Sequence, residues 1–443
     1  MSSINRFVSH ATSTATNHHG TVVPAISAKK QLVRLTLASM LWEDQFYVDG
    51  ETSAALLAKC VAKVDAEYVS ALAMEARSRF KLRHVPLALT RELARNGRLK
   101  ADVLAQVIQR PDEMAEFLSI YWKDGKTALS NQVKKGLALA FGKFNEYQLA
   151  KWDKNSSAIS LRDVMFLTHP KPQTKAQEEL FKRVANEQLE TPDTWETNLS
   201  AGANKGETFL RLMDEKKLGA LAFLRNLRNM VQGGVSESRI RAYAKEVDVT
   251  KVLPFRYIAA ARIMPLFEDM LEEMMLRSLA SVEKIPGKTK VVIDVSGSMF
   301  GTKVSAKSDL DRFDAAAALA VLLREICEEV EIWSFSNDAV RVPPRRGFAL
   351  VKAISDSQGH GGTMLGRSLK TVFSRDSGTR TIVFTDEQSS DRPNSPPNGT
   401  KGYIVNVASY QNGVNHSAWT TITGFSEAIV DYIRALESDS SLS

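Results

Sequence analysis

Two grammars of apolar spacing divide this chain. From about residue 29 to residue 279, apolar side chains recur at intervals of three and four: Leu32, Leu35, Met40 and Leu41, then Leu87, Leu93 and Leu99 behind Pro86, then Leu218, Leu221, Leu224 and Leu227. That period predicts amphipathic helices. Pro86, Pro111, Pro170, Pro172, Pro192, Pro254 and Pro265 punctuate the run, and no β-branched strand run interrupts it. Roughly 250 residues of short helices without a clean fixed period predict stacked helix pairs rather than a single bundle.

The grammar changes near Ile285-Pro286-Gly287. Buried-strand runs at 290–294, 330–335, 381–385 and 403–407 then alternate with helical patterns at 312–329, 365–373 and 425–437. Such alternation predicts a parallel α/β sheet, whose ligands bind beyond the carboxyl ends of its strands. The expected fold class is therefore multidomain, α followed by α/β. Residues 1–28 read as a flexible polar arm, 29–285 as the helical domain and 286–443 as the α/β domain, with a frayed Ser- and Asp-rich tail after Leu436.

Composition narrows the setting. Of 443 residues, 44% are hydrophobic and 25% charged, the balance of a globular protein with a sizeable core. No apolar run reaches the ~20 residues that span a bilayer, and the N-terminus lacks the apolar centre of a secretory signal. Cys60 and Cys327 each lie inside an apolar helical pattern with no histidine at metal-ligand spacing. Two reduced core thiols fit a cytoplasmic protein. Residues 286–443 hold 17 Lys and Arg against 18 Asp and Glu, so residues 1–285, with 41 against 33, carry the basic surplus behind the net charge of +7. A basic helical domain is compatible with nucleic acid.

The sharpest chemistry lies at the end of the first predicted strand, where Val291-Val292-Ile293 runs into Asp294-Val295-Ser296-Gly297-Ser298. One carboxylate and two hydroxyls at a strand tip make half of a hard-cation site. Thr363 follows Gly361-Gly362 on a loop, and Asp386 ends the strand Thr381–Thr385. These pieces resemble the metal-ion-dependent adhesion site of von Willebrand factor A domains. The resemblance implies that Asp294, Ser296, Ser298 and Thr363 ligate Mg²⁺ or another divalent cation directly or through water. It places Asp386 one layer out and leaves a coordination position for a partner's acidic group.

Basic residues cluster within the helical region: Arg77, Arg79, Lys81 and Arg83 in one run, Lys134-Lys135 at the opening of a helix, and Arg162, His169, Lys171 and Lys175 around a loop. Side chains placed this way can neutralise phosphates. Three segments, Phe46–Gly50, Leu161–Pro172 and Leu218–Met230, are similar to signature stretches of the Ro autoantigen family, whose shared region is called the TROVE module. In that family a ring of HEAT-like helical repeats precedes a von Willebrand A domain, the order found here. The resemblance implies a protein of the bacterial or phage type that binds small noncoding Y-like RNA and the ends of misfolded RNA.

By the same resemblance His169, Lys171, Lys134 and Lys135 contact RNA, and Arg162 joins them. Arg77, Arg79 and Arg83 rest on charge alone. Arg225, Asn226, Arg228 and Asn229 are expected to tie adjacent repeats together. The chain is shorter than the eukaryotic pattern and begins with little before its first helix, so closure of the ring is not carried over.

The expected function is non-enzymatic: an RNA-holding monomer off the membrane, paired with an exoribonuclease and docking an acidic protein ligand through the A domain. A protein adaptor whose helices dock to another protein is the alternative. A metal-dependent hydrolase would need two close metals or a positioned base, and no Gly-rich phosphate loop or Ser/His/Asp order is present.

Overall fold

The computed structural model describes residues 14–16, 22–24, 27–38, 50–153, 158–303, 310–376, 378–386, 389–407, 419–423 and 429–438. Two short strands come first, β1 (Thr14–Thr16) and β2 (Val22–Pro24), paired antiparallel. Part of the segment expected to be a loose arm is thus held in a hairpin. The segment Phe46–Asp49 and the tail beyond Ser438 lie outside the described residues.

From Ala28 to Leu279 the described chain is helical, in short helices that pack on their neighbours in sequence. Side-chain caps start many of them. Ser130 accepts the amide of Val133, Asn145 that of Gln148, and Ser160 that of Asp163, satisfying donors that the first helical turn cannot pair internally. The longer helices bury an apolar stripe; in Ala220–Gln232 it is Phe223, Leu224, Leu227 and Met230. Among the described residues no helix is long and apolar enough to cross a membrane.

The C-terminal domain is a six-stranded sheet. Its strands are β3 (Ile285–Asp294), β4 (Cys327–Phe335), β5 (Ala339–Arg341), β6 (Arg380–Thr385), β7 (Lys401–Asn406) and β8 (Thr420–Thr423), ordered β5-β4-β3-β6-β7-β8. All neighbours are parallel except β4 and β5. The apolar runs of β3 and β6 are buried on both faces, which is why they read as continuous rather than alternating.

The Ala-rich helix Arg312–Ile326 covers one face, buried along nearly its whole length because its small side chains admit close approach. That helix stops at Ile326, earlier than its apolar pattern extends. Cys327 enters β4 directly, since parallel pairing with β3 begins at Ile285 and Cys327. Cys327 is therefore a strand residue and not a helical one. Both cysteines are buried and unpaired.

One apolar core runs from the helical region through the Arg312–Ile326 helix to the sheet. At the late end of the array, the helices Pro254–Ile263 and Glu268–Leu279 pack on Arg312–Ile326. There Arg262 pairs with Asp314, and Glu272 accepts the amide of Phe348 at 2.8 Å. At the early end, Ala28–Ala38 packs on β8 and on the C-terminal helix Ile429–Ser438. Both ends of the helical array meet the same α/β domain, so the described chain closes into a circuit.

Candidate metal centre and basic surface

Chain order places the candidate centre. The sheet grows outward from β3 to β4 and β5, then resumes on the other side of β3 with β6, and this reversal leaves a crevice at the carboxyl ends of β3 and β6. Asp294 closes β3, and Asp386 follows β6. Both are wholly buried. The carboxylate of Asp294 accepts the Ser296 amide at 2.8 Å and the Thr385 hydroxyl at 2.7 Å. Burial, and then the charge of Asp386, push the Asp294 carboxyl up to about 7.

Ser296 and Ser298 face each other with their Oγ atoms 3.3 Å apart. Cis ligands of an octahedral Mg²⁺ at 2.0–2.1 Å sit about 3 Å apart, so the spacing suits a shared cation. The Gly361–Thr363 loop lies alongside, with the Gly297 amide donating to the Gly361 carbonyl at 3.5 Å. A Cβ on Gly361 would come within 2.6 Å of Asn337, which explains the glycine there. Thr363 is nearly buried, and its carbonyl accepts the amide of Ser390. His360 anchors the loop through Nδ1 and the Val295 carbonyl at 2.9 Å, its ring against Phe300.

Asp294, Ser296, Ser298 and Asp386 are thus linked around one crevice, directly or through Arg312, with the loop that carries Thr363 alongside. Among the described residues no group of three His, Cys, Asp or Glu side chains is placed to hold a metal, so any donor set here relies on hydroxyls. Asp294 has no cationic partner among the described residues. A divalent cation fits this charge and this hard-oxygen donor set.

One feature of the crevice was missed in the sequence. Arg312, the first residue of its helix and nearly buried, donates from Nη1 to Asp386 Oδ2 at 2.8 Å and reaches the Ser298 carbonyl at 3.5 Å. Its position, fourteen residues past Ser298 and just before an alanine run, carries no motif.

The basic candidates divide sharply. Arg77 is buried, donating to the Val107 carbonyl and to Glu113, which is itself wholly buried. Arg83 holds Asp112 at 2.7 Å and Glu116 at 2.6 Å. These two staple the helix Ala66–Ser78 and the turn after it to Asp112–Tyr121, which corrects their assignment as RNA contacts made on charge alone. Arg79 is exposed and pairs with Glu75 one turn back.

Lys134 and Lys135 project from the helix Asn131–Phe141 with no carboxylate in ion-pair reach among the described residues. His169 ends the helix Leu161–Thr168 in a left-handed conformation, φ +48°, and is exposed beside exposed Lys171. Arg162 donates to the Ala185 carbonyl and lies over the exposed ring of Phe166, 5.4 Å from its centroid.

On Ala220–Gln232 half of the structural reading fails. Asn226 is buried, bonding the Ala222 carbonyl and the Asn229 amide. Arg225 and Arg228 are exposed with no carboxylate partner among the described residues. Leu221, Arg225, Arg228 and Gln232 fall at i, i+4, i+7 and i+11, one solvent-facing stripe, and that spacing was visible in the sequence.

Comparison with known proteins bears on the helical region first. Residues 182–280 match the model of the TROVE domain. The telomerase protein component 1 of Rattus norvegicus and that of Mus musculus are each 34% identical over 102 residues, 21% of this chain. The match spans 4% of the length of those relatives. The crystal structure of the Deinococcus radiodurans RO (RSR) protein superposes over 92% of this chain and 99% of that one, with a TM-score of 0.67 at 17% identity. That likeness extends to the whole fold, helical array and α/β domain together.

Proposed function

From the membership of this chain in the TROVE family, in the architecture of a Ro protein, we propose that its helical domain binds RNA and that its α/β domain binds a divalent cation. The observation that carries the reading is the division among basic side chains. Arg77, Arg83, Arg183 and Arg211 are paired with carboxylates and hold helices together. Lys134, Lys135, His169, Lys171, Arg225 and Arg228 are exposed and have no carboxylate partner among the described residues. Charge left unpaired on a surface is available to phosphate.

Phe166 and the imidazole of His169 add exposed faces on which unstacked bases can lie. Such a surface suits RNA with single-stranded ends and noncoding RNA of the Y type, handed on to an exoribonuclease in the cytoplasm. The protein acts as a scaffold rather than an enzyme.

In the α/β domain Asp294, Ser296, Ser298 and Thr363 would hold Mg²⁺, with Asp386 behind them. The cation would supply a Lewis-acidic position for an acidic side chain of a partner protein. The residues of this chain present the oxygens, bury them from bulk water and keep the crevice open at the sheet's carboxyl edge.

The test is binding of a structured RNA with a single-stranded 3′ tail at two salt concentrations, beside the His169→Ser/Lys171→Ala variant. Tight, salt-sensitive binding that the variant loses supports the reading. A wild-type protein that binds no RNA overturns it, and the helical array is then a protein-docking surface.

A further inference from the structure

The candidate metal centre contains a charge that its donor set does not call for. Two wholly buried carboxylates, Asp294 and Asp386, face one crevice, and the guanidinium of Arg312 is buried with them. It bonds Asp386 at 2.8 Å and lies 3.5 Å from the carbonyl of Ser298, one of the candidate ligand residues. Arginine does not deprotonate in proteins, so this charge is permanent. Among the described residues the donors that serve Asp294 are neutral: Ser296 and the Thr385 hydroxyl.

We propose that Arg312 is a resident cation of the metal centre, holding Asp386 away from direct ligation and keeping the crevice folded without metal, so that the divalent ion binds reversibly. The proposal rests on the metal-binding reading above. Its logic is electrostatic. A carboxylate bonded to a buried guanidinium has one oxygen committed and its charge largely balanced, so it serves a metal through an intervening water better than by direct contact. The guanidinium also opposes the incoming dication across a short, poorly screened distance, which weakens its binding.

Conversely, if Arg312 were absent, the buried Asp294 and Asp386 would lose this counter-charge until a metal arrived. The site would then become a structural one, occupied tightly or unfolded. Arg312 sits at the first position of its helix, with Asp311 and Asp314 forming the capping box around it, so the guanidinium enters the crevice from a rigid start. Asp314 in turn pairs with Arg262 of the helical array, which fixes that start from the other side.

The experiment is calorimetric titration of Mn²⁺ into the full-length protein, with thermal melts in EDTA and in MgCl₂, for the wild type, Arg312→Met, Arg312→Lys and Asp294→Asn. Arg312→Met should bind Mn²⁺ about tenfold more tightly or better. It should also melt lower than the wild type in EDTA and recover in MgCl₂. Arg312→Lys keeps the charge and should stay near wild-type affinity, and it carries the comparison if Arg312→Met does not fold. Wild type and Arg312→Met binding equally, or Arg312→Met binding more weakly, overturns the role of Arg312 while leaving the metal site standing. No Mn²⁺ heat from any variant removes the metal reading and this proposal together.

Discussion

Metal-free protein should lose stability as the pH rises from about 4 to about 7, and Mg²⁺ should restore it. The carboxyl of Asp294, wholly buried beside Asp386, is pushed up to about 7 by burial first and by its neighbour second. In the unfolded chain it titrates near 3.9. Between those values the folded state holds a proton that the unfolded chain has released, so stability declines with pH across that window and levels off above it. About three pH units at about 1.4 kcal/mol each set a ceiling of about 4 kcal/mol. A bound dication favours the ionised form, so its benefit is small at pH 5 and large at pH 7.5. Denaturant midpoints at those two pH values, in EDTA and in MgCl₂, measure the effect, with Asp294→Asn as the isosteric chain that cannot titrate. If the gap between wild type and Asp294→Asn in EDTA is the same at both pH values, the reasoning is wrong.

Three other perturbations have defined outcomes. Arg77→Met strips the wholly buried Glu113 of its hydrogen-bonded guanidinium, leaving only the more distant Arg83 at 3.9 Å among the described residues, and should cost on the order of 3 kcal/mol in a denaturant melt; the RNA affinity of the folded fraction should not change. Gly347→Ala forces a side chain onto a backbone at φ +56° and drives a Cβ into the carboxylate of Glu272, so it should lower the melting temperature and loosen the contact between helical array and sheet, read by hydrogen exchange at the Phe348 amide. Arg225→Ala/Arg228→Ala should weaken RNA binding and flatten the plot of log affinity against log salt by about 1.4, two single-strand phosphates at about 0.7 each; an unchanged slope removes that stripe from the interface.

The strands were legible where burial on both faces writes an unbroken apolar run. Thr381–Thr385 shows this, as do the tips carrying Asp294 and Asp386, because a carboxylate ending such a run is conspicuous. The edge strands β5 and β8, three and four residues long, carry too little pattern to be seen. The end of the Arg312–Ile326 helix was hidden because the apolar residues of helix and strand run together without a breaker.

Charge misled where partners are remote in sequence. The run at Arg77–Arg83 looks like a surface patch, but Glu113 and Glu116 lie more than thirty residues on, and only folding brings them together. Local spacing cannot report such pairs. The same limit hid Arg312, whose carboxylate partner lies 74 residues downstream.

Linear arrays of helical repeats ordinarily fray from their two ends, each needing a terminal unit with a polar outer face. Here neither end is free: the helix Ala28–Ala38 leans on β8 and Ile429–Ser438, and Pro254–Ile263 leans on Arg312–Ile326. A single globular lid serves as both terminal caps. Deleting it would expose two apolar ends in one cut, so the helical half should be far less soluble alone than a free-standing solenoid of its length, and a loosening at either seam should be felt all the way round.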